Sequence, residues 1–138
     1  MEGRETLPAL LDSAPCGFVS LTEKGHIALI NGTLARLLDS EVPELLGKHV
    51  EAIFTKPTKI FFQTHVFPML RLQSSANELY VTLRTKGGEP VHALANASKQ
   101  TRDGVEYVDL VLMRIHEREK YEQELLRAKR AADDANRA

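Results

Sequence analysis

A second cysteine is missing, so Cys16 cannot close an internal disulfide, and the single thiol fits a reducing compartment. An excess of one charge is missing too: 18 Lys and Arg face 19 Asp and Glu, interleaved along the chain, for a net charge of −1. Phosphate-backbone binding requires a one-sided basic stripe, so nucleic acid is not an expected partner. No apolar run approaches the roughly 20 residues that a membrane helix needs. The first residues include Glu2, Arg4 and Glu5 and lack a signal-peptide apolar stretch, so a cytoplasmic segment without membrane contact is expected.

Chemical constellations are also scarce. His26, His49, His92 and His116 are scattered, and no Cys/His set has metal-ligand spacing. No Ser/His/Asp set or carboxylate pair stands out, so neither a metal nor catalysis is expected in this segment. Gly87-Gly88 lacks the following helix and the Lys-Ser/Thr of a phosphate loop, and reads as a hairpin turn. Asn31-Gly32-Thr33 and Asn96-Ala97-Ser98 match the glycosylation sequon, but without a secretion signal both are taken as coincidence.

What is present suffices for one domain. At 138 residues and 43% hydrophobic, the chain can fill one core without disulfides or structural metals. Leu7, Leu10 and Leu11 have helical spacing, which predicts a short amphipathic helix over about 5–13. Two strands follow, 17–21 and 26–30, joined by a turn at Glu23-Lys24-Gly25. Asn31 is placed to cap a helix containing Leu34, Leu37 and Leu38. Pro43 and Gly47 bracket a second short helix, and Val50, Ile53 and Phe54 suggest a third. The longest helix is predicted over about 57–72, apolar around more than half its circumference, with a kink at Pro68.

Three more strands close the domain. Leu79, Val81 and Leu83 alternate with Tyr80, Thr82 and Arg84, and Val91, Ala93, Ala95 and Ala97 alternate with His92, Leu94, Asn96 and Ser98. Asp103-Gly104 turns the chain into the last strand, about 105–115. There Leu110 to Met113 are apolar on both faces, which predicts cover on both sides. The tail from 116 to 138 has no Gly or Pro, and Tyr121, Leu125, Ala128, Ala132 and Ala135 form a heptad seam. The organisation expected is therefore an N-terminal helix (1–13), a single domain (14–115) and a coiled-coil helix (116–138).

Several stretches together resemble the PAS domain family. They are Gly17-Phe18, Gly25-His26-Ile27, Ile30-Asn31, Glu44-Leu45-Leu46-Gly47-Lys48 and Lys86-Gly87-Gly88-Glu89-Pro90-Val91. The exit Arg114-Ile115-His116-Glu117-Arg118 is similar to that of many PAS domains, with Arg114 and His116 departing from the commonest residues. The resemblance implies an α+β fold: a five-stranded antiparallel sheet with short helices and one long helix on one face. It also implies a sensory input module of a bacterial signalling protein. The tail resembles the helix that leads into the phosphoacceptor domain of sensor histidine kinases. A kinase of a two-component system is the expected output, with a diguanylate cyclase or a phosphatase as alternatives.

The heptad seam predicts a homodimer, formed through the N-terminal helix and the Tyr121/Leu125/Ala128/Ala132/Ala135 stripe. Phe18, Leu29, Phe54, Phe62, His65, Val66, Met69 and Val111 are expected to line the interior between the long helix and the sheet. That interior either holds a small apolar or mixed ligand or is a filled core. A His on this helix ligates iron in haem-binding PAS domains, so haem at His65 is the cofactor alternative, and no cofactor is the expectation. A flavin-reactive Cys is absent from residues 49–55, so light-driven adduct chemistry is not expected.

Overall fold

The computed structural model describes residues 8–115 and 127–132. A short helix α1 (Ala9–Asp12) precedes strands β1 (Gly17–Thr22) and β2 (Ile27–Ile30). Helices α2 (Gly32–Leu37) and α3 (Val42–Leu45), a 3-10 turn (Val50–Ile53) and a long helical run follow. That run is α4 (Lys56–Phe61), a π-turn (Phe62–Val66) and α5 (Phe67–Gln73). Strands β3 (Ser75–Arg84), β4 (Pro90–Arg102) and β5 (Val105–Arg114) complete a five-stranded antiparallel sheet of order β2-β1-β5-β4-β3. The α+β architecture is the one the resemblance implied.

Turn chemistry explains the connections. Asp103 and Gly104 both have positive φ (52° and 77°), which a two-residue turn matched to the strand twist requires. Gly25 has φ +92°, and a Cβ there would lie 2.6 Å from His49 Nε2, so only glycine fits.

The long helix does not simply kink at Pro68. It widens into the π-turn directly before the proline, where the Phe67 amide donates to the Phe62 carbonyl five residues back. Proline has no N–H and its ring crowds the carbonyl four residues earlier, here that of Thr64. Loosening the preceding turn accommodates that clash, and the segment continues as α5.

The core lies between this helical run and one face of the sheet. Val19, Leu21, Ile27, Ile30, Leu110 and Leu112 from β1, β2 and β5 are buried there with Phe54, Phe62, Val66 and Leu70. Ala93, Ala95 and Ala97 of β4 join the same cluster, their small side chains giving the large helix residues room. The space these alanines leave belongs to the core itself.

Side chains on a strand alternate between faces, so burial of Val19 and Leu110 puts Phe18 and Val111 on the other face. Leu29 pairs with Ser20 while Ile30 pairs with buried Val19, so Leu29 is on that outer face too. Placing Phe18, Leu29 and Val111 in the interior was therefore an error of one residue in strand parity. Val111 and Met113 remain 40% and 58% exposed, so the second cover expected for β5 is not supplied by the described residues.

The N-terminal helix is shorter than expected, with Pro8 at its cap and Leu10 85% exposed; Leu7 lies outside the described residues. Of the heptad seam, Ala128 and Ala132 are helical and exposed, while Tyr121, Leu125 and Ala135 lie outside the described residues. Among the described residues, no helix is long and apolar enough to cross a membrane.

Candidate functional site

Three features stand out: a polar hub at Asn31, a partly open outer sheet face, and a cleft at one end of the helical run.

Asn31 caps α2 as its position suggested, its Oδ1 accepting the Leu34 amide at 3.1 Å. It does more. The same oxygen accepts the Phe18 amide at 2.9 Å, and Nδ2 donates to the carbonyls of Leu11 (2.9 Å) and Cys16 (3.0 Å). Asn31 is fully buried and all four of its side-chain hydrogen-bonding positions are used. The Gly32 amide donates to the Asp12 carboxylate at 2.8 Å, and the Thr33 hydroxyl donates to the Ala14 carbonyl at 2.6 Å. The N-terminal segment is thereby tied to the first turn of α2 and to β1 by the side chains of Asn31, Thr33 and Asp12.

The outer face divides into two halves. Phe18, Leu94, Val111 and Met113 form an apolar band around β5, since Phe18 pairs with Val111 and Leu94 with Met113. Beside it, Arg102 donates two bonds to Asp109 (2.8 and 3.1 Å) and one to the Ser20 hydroxyl (2.7 Å), which itself donates to Asp109 at 2.7 Å. The Arg102 guanidinium also stacks 4.4 Å from the Tyr107 ring centre. Burial works to raise the pKa of Asp109, but the bonds from Arg102 and Ser20 outweigh it, and the carboxyl is held below the ordinary aspartate value.

The expected ligand-lining residues are only partly brought together. Phe54, Phe62 and Val66 are buried in the core, with Phe54 and Phe62 ring centres 4.5 Å apart, and Met69 packs at its margin. His65 is exposed, and its Nδ1 lies 2.7 Å from the Thr64 hydroxyl. Its imidazole is not presented to the interior, so the residues do not fit an axial haem ligand there.

An open cleft of about 680 Å³ lies instead between the helical run and the far ends of the strands. One wall is Gln63, Phe67, Leu70 and Arg71; the other is Lys99, Glu106, Tyr107 and Val108. The β1–β2 turn (Glu23, Lys24, Gly25) and His49 with Glu51 close one end. Sequence reasoning missed this site because it followed the alternation only as far as Ala97 and Ser98. The alternation Val91, Ala93, Ala95, Ala97 runs on to Lys99, which puts a charge on the core face, and that was the available signal.

Comparison with known proteins agrees with the architecture. The chain is 38% identical over 124 residues to the phosphoserine phosphatase RsbP of Bacillus subtilis, covering 90% of this chain and 31% of RsbP. It thus spans about a third of that relative's length. A PAS domain from Colwellia psychrerythraea superposes with a TM-score of 0.70 at 12% identity, covering 77% of this chain and 91% of that one. A PAS domain from a two-component sensor histidine kinase gives 0.67 at 12% identity, covering 77% and 90%. Residues 5–118 match the PAS fold, and the chain belongs to the PAS family of sensory domains.

Proposed function

We propose that this domain controls a covalently linked output domain, that the output is a serine phosphatase, and that the working unit is a homodimer. The observation that carries the reading is the position of β5. It is the central strand, paired with β1 on one side and β4 on the other, and the chain leaves the domain from its end. Ile115, the next residue, still donates to the His92 carbonyl of β4 at 2.9 Å. A change in packing at the helical run, the Asn31 hub or the outer face therefore reaches the exit through one strand.

The phosphatase is supported by 38% identity to RsbP across 90% of this chain. The kinase expected from the tail has weaker support, because 12% identity to a sensor-kinase PAS domain is a likeness of fold alone. The dimer is supported by the open apolar band of Phe18, Leu94, Val111 and Met113. A lone helix of about 20 residues is marginal in water, which also favours pairing along the Tyr121/Leu125 seam.

The test is made on the full-length protein that contains this segment. Release of inorganic phosphate from a phosphoserine peptide, at a rate that changes several-fold when the PAS domain is removed, is the expected result. ATP-dependent autophosphorylation on histidine would overturn the phosphatase output in favour of the kinase.

A further inference from the structure

Lys99 is the anomaly of the sheet's core face. It follows buried Ala93, Ala95 and Ala97 in alternation and stands opposite Val108, a partly buried core neighbour. Its place is held firmly, since its amide donates to the Ser74 carbonyl at 2.8 Å, pinning the end of α5 beside it. Yet Lys99 is a half-buried residue, and among the described residues its ammonium has neither an ion-pair nor a hydrogen-bond partner. An unpaired charge on an apolar face is unfavourable unless water or a counter-charge satisfies it.

The cleft around Lys99 sorts its polar groups by depth. The exposed charges alternate in sign: Glu23 and Glu106 against Lys24 and Arg71. Deeper, Glu51 is half-buried, but its carboxylate already accepts the Gln63 amide at 2.6 Å. His49 accepts the Glu51 backbone amide on Nδ1 at 3.2 Å, which leaves the ring proton on Nε2, a donor. The groups that half-buried residues leave to bind something are thus the Lys99 ammonium and the His49 N–H. Both suit an anion. Phe67, Leu70 and Val108 supply an apolar wall beside them.

We propose that this cleft binds a small organic anion with an apolar body, its head on Lys99 and its body against Phe67, Leu70 and Val108. The volume of about 680 Å³ lies within the roughly 300–1,000 Å³ of small-molecule sites. The proposal deepens the sensory reading and rests on it, by giving the sensor a ligand class. Carboxylate and phosphate heads share the required chemistry.

The experiment titrates the full 138-residue chain, followed by amide NMR, with four probes sharing one six-carbon body: hexanoate, hexyl phosphate, hexanol and hexylamine. Both anions are expected to give saturable shifts at Leu70, Lys99 and Val108, with hexanol at least about tenfold weaker and hexylamine silent. Whichever anion binds tighter assigns the head group. Lys99→Gln should reduce the anions to the level of hexanol, and Lys99→Arg should keep binding within a few-fold, both with the amide spectrum of the folded domain. Equal binding of hexylamine or hexanol, no saturable shift, or undiminished anion binding by Lys99→Gln would overturn the site. Because binding is read on this chain and output on the full-length protein, anion binding without any change in output would leave the site standing and sink the sensory reading alone.

Discussion

Phe18 and Val111 stand directly opposite each other on β1 and β5, on the face of the sheet turned away from the helices. Their immediate neighbours Val19 and Leu110, also a pair, are buried in the core. One step along either strand thus separates a residue that holds the domain together from one available to a partner. Leu110→Ala should cost about 2–5 kcal/mol, the range for emptying a packed Leu site. Val111→Lys should leave the isolated domain's stability within about 0.5 kcal/mol, as surface changes do. Urea midpoints of the two variants check the parity, and an equal loss in both would show that the outer face is covered within one chain.

Asn31→Ala removes a cap and three further bonds at a fully buried position. A cap alone is worth about 1 kcal/mol, and each buried group left unpaired adds about 1–3 kcal/mol. The expected loss is therefore about 3 kcal/mol or more. A loss no larger than that of an ordinary cap would mean that water replaces the bonds to Leu11, Cys16 and Phe18. Asn31→Asp separates the roles: it retains the two acceptor functions but withdraws both donors from the Leu11 and Cys16 carbonyls. It should loosen the N-terminal segment selectively, seen as faster amide exchange at residues 9–16.

Acid should weaken the Asp109 network in a defined direction. Its folded pKa is depressed below the ordinary 3.8, so its contribution is fully present above that value and is lost as pH falls through the lowered one. The stability difference between the wild type and Asp109→Asn should be constant near neutrality and shrink as pH drops below about 3.8. A difference that does not change with pH would mean that Arg102 and Ser20 hold the ionised and the protonated carboxyl equally well, and that the pKa is not depressed.

Association should depend on the outer face and the tail together. Sedimentation equilibrium of the full chain at tens of micromolar is expected to show a dimer, weakened by Val111→Lys, by Leu125→Asp and by ending the chain near residue 116. A monomer throughout would remove the dimer from the account. A dimer indifferent to the tail would place the interface in the domain.

Much of this was legible in the residues, for physical reasons that also mark where reading failed. Alternation in β3 and β4 and the Asn31 cap are local signals, and both hold in the structure. On β5, Leu110 to Met113 are apolar on both faces, so alternation carries no information about which face is inside, and Val111 was misplaced. Phe18 was misplaced by its size, and Leu29 follows a register shift between Ser20 and Leu21 that no short pattern announces. The π-turn is a compromise between Pro68 and a helix that packing keeps continuous. Asn31's bonds to Leu11 and Cys16 reach back 20 and 15 residues. The Lys99 cleft gathers five separate stretches of chain, none of which carries a motif of its own.

The central claim is that packing on this sheet governs an attached output. The most direct test compares phosphate release from a phosphoserine peptide by the full-length protein with that of its Val111→Lys variant. The isolated variant domain must keep its unfolding midpoint. The account predicts an output rate changed by about tenfold or more with the domain still folded. An unchanged rate, in a protein whose activity does respond to removal of the whole domain, would contradict it.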